Sequence, residues 1–269
     1  MSFNLSFLRS KRHIITLALV LLVTLIAPDI FAEAAAAAGD EATKLTLMDK
    51  IMDAGVFMAP IGVLSVLMIT LAVFNALQLS KKKFAPPGLR DAILANMADV
   101  RVRSSIDVSA QDPSYLGRMA ATAYPLVDAT DPENLGRAKV EDAIADFSIR
   151  ENARYMSWIG YFAVIAQAAP MIGLFGTVAG MIMAFDTMGL AGGSDPSKLA
   201  SDISLALMTT AGGLVVAIPS IFCFYIFKNK FNKLVADAQE TAIEGLELAI
   251  GTVNADQQLA KVPEGISEG

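Results

Sequence analysis

The chain has 269 residues, of which 54% are hydrophobic and 18% charged, with a net charge of −6 and a mean hydropathy of +0.52. Soluble domains carry nearer a quarter of their residues charged, so this composition points to a membrane protein. A mildly acidic chain with no Lys/Arg cluster interleaved with aromatics gives no support for nucleic-acid binding, and one cysteine (Cys223) and one histidine (His13) exclude an internal disulfide and a Cys/His metal cluster.

The amino-terminal segment places Lys11 and Arg12 before the apolar run Ile14 to Ala27, with small residues from Ala32 onward. That order is the signature of a secretory signal, and the run is shorter than the roughly 20 residues a spanning helix needs. Residues 1–32 are therefore expected to be a signal peptide, with an uncleaved anchor as the alternative. On either reading 33–55 is an exported segment. His13 falls in the part expected to be removed, which argues against an enzyme using a histidine base.

The first transmembrane helix is expected over 56–79, followed by Lys81-Lys82-Lys83 and preceded by an acidic flank. The positive-inside rule puts the amino terminus outside and the lysines in the cytoplasm. Residues 80–157 form a cytoplasmic helical region. Pro86-Pro87-Gly88 breaks the chain there, and 89–125 is read as one or two short helices. Asp131-Pro132-Glu133 looks like an N-cap with proline at the first helical position. From there a charged helix with Val140, Ile144 and Phe147 on its apolar side is expected to run without a break into the second span, 158–185. Trp158 and Tyr161 fit an interfacial belt.

Glycines, Asp195 and Pro196 mark 186–202 as a periplasmic loop, and the third span covers 203–227. Lys228, Lys230 and Lys233 follow it. Residues 228–269 are expected to continue as a cytoplasmic helix, with Leu234, Ala238, Ile243, Leu246 and Ile250 as its stripe, and then a polar tail. The fold class is thus an all-α membrane protein with three transmembrane helices extended into the cytoplasm.

The second and third spans carry small residues rather than charges. At 100° per residue Pro170, Gly173, Thr177, Gly180 and Ala184 share one face, as do Ala206, Thr210, Gly213 and Ala217. Gly176 and Gly180 form a small-xxx-small pair that lets helices approach closely. Two readings stay open for Thr177 and Thr210: a bond back to a carbonyl of the same helix, or a polar lining that holds water or a carboxyl group. Asn75, Gln78 and Gln167 are read as snorkelling or interhelical partners. No Asp, Glu, Lys, Arg or His lies within the three spans, although such groups mark proton pathways in membranes. If the chain conducts protons, a second protein must supply the carrier, most simply an aspartate on a partner helix.

Two segments carry a family resemblance. Ala169-Pro170-x-x-Gly173-Leu174-x-Gly176-Thr177-Val178-x-Gly180 and Ala206-Leu207-x-Thr209-Thr210-Ala211-x-Gly213-Leu214-x-Val216-Ala217-Ile218-Pro219 resemble the second- and third-span motifs of the MotA/TolQ/ExbB proton-channel family. The three-span arrangement is similar to the ExbB/TolQ branch more than to the four-span MotA branch. The resemblance implies a homopentameric helical bundle around a central pore. It implies Thr177 and Thr210 as pore-lining residues of a proton pathway, and Pro170, Gly173, Gly176, Gly180, Gly213 and Pro219 as packing positions. It further implies an ExbD/TolR-like single-span partner supplying the aspartate, a TonB-like protein as a further partner, and no cofactor beyond the transported ion, H⁺ or Na⁺. Leu205 stands where ExbB and TolQ usually have glutamate. A passive scaffold in the bilayer and a sodium-driven stator are the competing functions.

Overall fold

The computed structural model describes residues 55–131, 133–190 and 196–254; the expected signal peptide, most of the exported amino-terminal segment and the polar tail lie outside the described residues. Every regular element among the described residues is helical. These are α1 (Gly55–Gln78), α2 (Lys81–Phe84), α3 (Pro87–Ala98), α4 (Val102–Gln111), α5 (Tyr115–Ala123), a 3-10 turn (Tyr124–Leu126), α6 (Arg137–Leu190) and α7 (Pro196–Val253). Three of them, α1, α6 and α7, are long and apolar enough to cross a membrane by length and composition. With 54 and 58 residues, α6 and α7 reach roughly 80 and 87 Å at 1.5 Å per residue. A hydrocarbon core of about 30 Å accounts for less than half of either.

The chain divides into two units. Among the described residues, the membrane unit comprises those up to Ala72 together with those of Gly160–Phe224, and the polar unit comprises those of Val73–Ile159 and those from Tyr225 onward. The helix expected to run unbroken into the second span does so as α6, and the helix after the third span continues to Val253. Helix also occupies much of the stretch read as a loop, since α6 reaches Leu190 and α7 starts at Pro196. Proline suits a first helical position because its missing N–H has no partner there.

The start of α6 differs from the expectation at Asp131-Pro132. The Asp131 carboxylate accepts from the Asn134 amide at 3.3 Å, which closes one turn and not the long helix. Leu135 and Gly136 then adopt φ of 47° and 68°, a left-handed pair that helix cannot pass through. Gly136 takes this conformation at little cost. Leu135 is held there by burial, at 5% exposure. Its amide donates to the Asp131 carbonyl at 2.7 Å, and the Asp128 amide donates to the Leu135 carbonyl at 3.0 Å. The helix therefore begins at Arg137.

In the polar unit, 89–125 holds three helices and a 3-10 turn where one or two helices were expected. Pro87 opens α3 at its first position. Ser114 caps α5 by accepting from the Gly117 amide at 3.1 Å. Phe84 is fully buried and contacts Tyr115, Tyr155 and Phe231, with ring centroids 5.1, 5.2 and 5.9 Å away. Tyr124 donates to the Ala242 carbonyl at 3.0 Å, and Gly245 leaves room for that phenol. Val140, Ile144, Leu234, Ala238 and Leu246 are buried as their stripes required, while Phe147, Ile243 and Ile250 are half-buried. Three ion pairs tie other elements to α7: Lys81–Asp237, Arg90–Glu244 and Arg137–Glu247.

Candidate functional site: the glycine–threonine seam of the membrane unit

In lipid, apolar side chains gain little by meeting each other, so helices associate through close packing and interhelical hydrogen bonds. The membrane unit follows that rule where α6 meets α7. A Cβ on Gly173 would lie 2.8 Å from the Thr209 carbonyl oxygen and 2.9 Å from the Thr210 Cα. A Cβ on Gly176 would lie 2.5 Å from the Thr209 hydroxyl, and one on Gly180 2.9 Å from the Ala206 Cβ. On the opposite helix, a Cβ on Gly213 would lie 2.5 Å from the Ala169 carbonyl oxygen and 3.3 Å from the Pro170 Cα. Real Cβ atoms do not approach other atoms so closely, so these four positions require glycine at this helix separation. Gly212 turns the other way, towards Met58 and Ile61 of α1.

Two hydroxyls fasten the seam. Thr209 and Thr210 each place their hydroxyl 3.1 Å from the Gly173 carbonyl oxygen, and Thr209 also lies 2.7 Å from the Ala206 carbonyl of its own helix. A hydroxyl has one proton, so Thr209 shares it between the two carbonyls. Thr209 is 3% exposed and Thr210 half-buried.

The expected site residues fall into three groups. Gly173, Gly176, Gly180, Ala206, Thr210 and Gly213 meet at the seam, with Pro170 at its edge. Ala217 and Pro219 are buried in the same unit. Thr177 stands apart: its hydroxyl donates to the Leu174 carbonyl of its own helix at 2.7 Å, and its side chain is half-buried. The seam on α6 runs through Ala169, Gly173, Gly176 and Gly180, spaced four, three and four residues apart. Thr177 is therefore one residue off the line that 100° spacing assigned it. Thr209 was missed. The adjacent pair Thr209-Thr210 was its signal, since a doublet in a helix puts one hydroxyl on each side of any contact line.

Leu205 is half-buried, and no carboxylate or cation stands between Arg154 and Asp186 or between Asp202 and Lys228. Among the described residues no group of three or more His, Cys, Asp or Glu is placed to hold a metal.

The MotA/TolQ/ExbB proton channel family matches residues 111–240, which takes in α5, the whole of α6 and α7 as far as Glu240. The putative biopolymer transport protein ExbB-like 1 of Synechocystis sp. is 30% identical over 184 residues, covering 67% of this chain and 70% of that protein. The chain belongs to the MotA/TolQ/ExbB proton channel family. Two further members share shorter segments. The biopolymer transport protein ExbB of Xanthomonas campestris pv. campestris strain B100 is 33% identical over 39% of this chain and 42% of its own length. The biopolymer transport protein ExbB of Helicobacter pylori strain J99 is 46% identical over 26% of this chain and 49% of its own. The chain thus matches less than half the length of these two relatives. The seam lies inside the matched residues 111–240 of this chain.

Proposed function

We propose that the chain is the pore-forming subunit of a proton-driven motor of the bacterial inner membrane, working to energise envelope transport. The observation that carries the reading is the seam itself: two spanning helices held by glycines and hydroxyls, with no Asp, Glu, Lys, Arg or His in either span. A threonine passes a proton or orients a water without carrying charge, so the carrier comes from elsewhere. An ExbD/TolR-like single-span partner with an intramembrane aspartate supplies it, and five copies of this chain enclose that partner, with the amino terminus periplasmic and the carboxyl terminus cytoplasmic. Thr177 and Thr210 then line the pore, and Thr209, the more deeply buried of the two hydroxyls on the Gly173 carbonyl, carries most of the hold on the wall. A TonB-type target receives the work. Moving one charge through the membrane potential delivers roughly 2.3 kcal/mol per 100 mV.

The three threonines separate this reading from a passive scaffold. Thr177→Val and Thr210→Val are expected to abolish motor output, measured as growth dependent on energised outer-membrane uptake, while the subunit still co-purifies with its partner. Thr209→Val is expected to reduce the amount of folded protein instead. Full output from the Thr177→Val/Thr210→Val double variant would sink the proposal. Replacing sodium by potassium at constant pH distinguishes a proton-driven motor, whose output is unchanged, from a sodium-driven one.

A further inference from the structure

Among the described residues two that are not glycine have left-handed backbones, Val100 at φ 57° and Leu135 at φ 47°, and both belong to the polar unit. The Val100 corner closes α3. There the Val100 amide donates to the Met97 carbonyl at 3.0 Å and the Arg101 amide to the Asn96 carbonyl at 2.7 Å. That pair of bonds is a Schellman ending, whose left-handed position favours glycine. A β-branched side chain is among those least suited to it. The Leu135 corner leads into α6, with Gly136 left-handed directly after it. Backbones of this kind persist only where their surroundings hold them.

The end of α7, with Asn254 directly after it, bonds to both corners. The Thr252 hydroxyl lies 3.0 Å from the carbonyl oxygen of Ala98, the last residue of α3. It lies equally 3.0 Å from the Leu248 carbonyl of its own helix, so one proton serves both. Asn254 donates its side-chain amide to the Glu133 carbonyl at 3.1 Å, just before Leu135. Just after it, Arg137 pairs with Glu247 at 2.9 Å. Leu135 and Gly136 are thus bracketed by bonds to α7. Yet α7 ends in Gly251-Thr252-Val253, a glycine and two β-branched residues of low helix propensity. No atom lies within 4 Å of a Cβ added at Gly251, so packing does not require that glycine. A turn with little helical preference of its own therefore carries bonds on which two strained corners depend, and such turns open as local units. We infer that the last turn of α7 is a reversible latch on the polar unit. Closed, it holds the α3–α4 corner and the entry to α6 in their left-handed backbones; when it frays, both corners relax together.

The test is hydrogen exchange of the full chain in detergent micelles, read by mass spectrometry on fragments spanning the two corners. Asn254→Ala removes a bond to the entry of α6 and is expected to speed exchange there about fivefold. A similar rise is expected around Val100 and Arg101, at the corner that Thr252 bonds. Thr252→Val, of similar volume, is expected to speed exchange at both corners in the same way. Gly251→Ala strengthens the helical turn and should slow exchange at both, by up to about fivefold. Val100→Gly, which takes the left-handed backbone at little cost, is expected to restore protection at its corner when added to Thr252→Val. Thr122→Val strips a hydroxyl bonded within α5 and is expected to leave both corners unchanged. Unaltered exchange at both corners in the Thr252→Val/Asn254→Ala double variant would overturn the inference. So would changes confined to the corner that each side chain bonds, since those are two separate contacts and not one latch. Faster exchange in Gly251→Ala, or an equal rise in Thr122→Val, would overturn it as well.

Discussion

The seam of the membrane unit is built on Gly173, Gly176, Gly180 and Gly213, whereas the polar unit is built around Phe84, Tyr115, Tyr155 and Phe231. One brings helix backbones together by removing side chains; the other separates them with the largest side chains available. The difference follows from the solvent. An aromatic ring gains several kcal/mol, on the order of 2–3, by leaving water, but gains nothing comparable by exchanging lipid for protein. Close backbone approach and hydroxyl-to-carbonyl bonds are what remain in lipid, and Thr209 and Thr210 make them. Electrostatics divide in the same way. The ion pairs Lys81–Asp237, Arg90–Glu244 and Arg137–Glu247 belong to the polar unit and are more than a third exposed, so each adds at most about 1 kcal/mol.

The largest effect is expected at the centre of the polar unit. Phe84→Ala removes a ring in contact with three others and should cost about 3–5 kcal/mol. Hydrogen exchange would show it as faster exchange in α5 and around Phe231, with no change around Thr209. A loss under about 1 kcal/mol would mean that the aromatic cluster is not what holds this unit. Gly213→Ala comes next, because its Cβ meets the backbone of Ala169, which cannot rotate away; overpacking of this kind costs about 1–3 kcal/mol. Gly160→Ala provides the contrast, since nothing lies within 4 Å of its added Cβ. Helix propensity alone then makes it neutral to about 1 kcal/mol stabilising. Thermal unfolding of the detergent-solubilised protein compares the two alanines, and equal midpoints would break the account of the seam.

What could be read from residues alone follows the same division. The three long apolar segments and the unbroken course of α6 were legible, because composition over 20 residues is decided by the bilayer rather than by neighbours. The glycines of the seam were legible as packing positions for a similar reason, since a small residue in lipid has few other uses. Thr209 was not, because choosing between the two hydroxyls of a doublet requires the crossing geometry, and a strict 100° wheel selects Thr210. The short helices α3, α4 and α5 were blurred because their burial is decided by partners distant in sequence: Tyr124, for example, bonds to Ala242. The helix start at Arg137 was hidden by a better-looking signal at Asp131-Pro132, where burial of Leu135 overrides its own backbone preference. Gly136, directly before the true start, was the available clue.

Buried hydroxyls offer the finest version of the comparison. In the membrane unit Thr209 is buried and bonded to two carbonyls. In the polar unit Ser105 and Ser109 are fully buried on α4, and their hydroxyls have no hydrogen-bond partner among the described residues. A buried hydroxyl without a partner carries its desolvation cost uncompensated. Alanine occupies nearly the same volume and has the higher helix propensity. Ser105→Ala and Ser109→Ala are therefore each expected to be neutral or to stabilise the polar unit by about 0.5–1.5 kcal/mol, read as a raised denaturation midpoint with an unchanged slope. Thr209→Val, of similar volume, should move stability the other way, because it strips a bonded hydroxyl from the seam. If both serine variants instead lower the midpoint, those hydroxyls are bonded in solution, and the two units use buried oxygen alike.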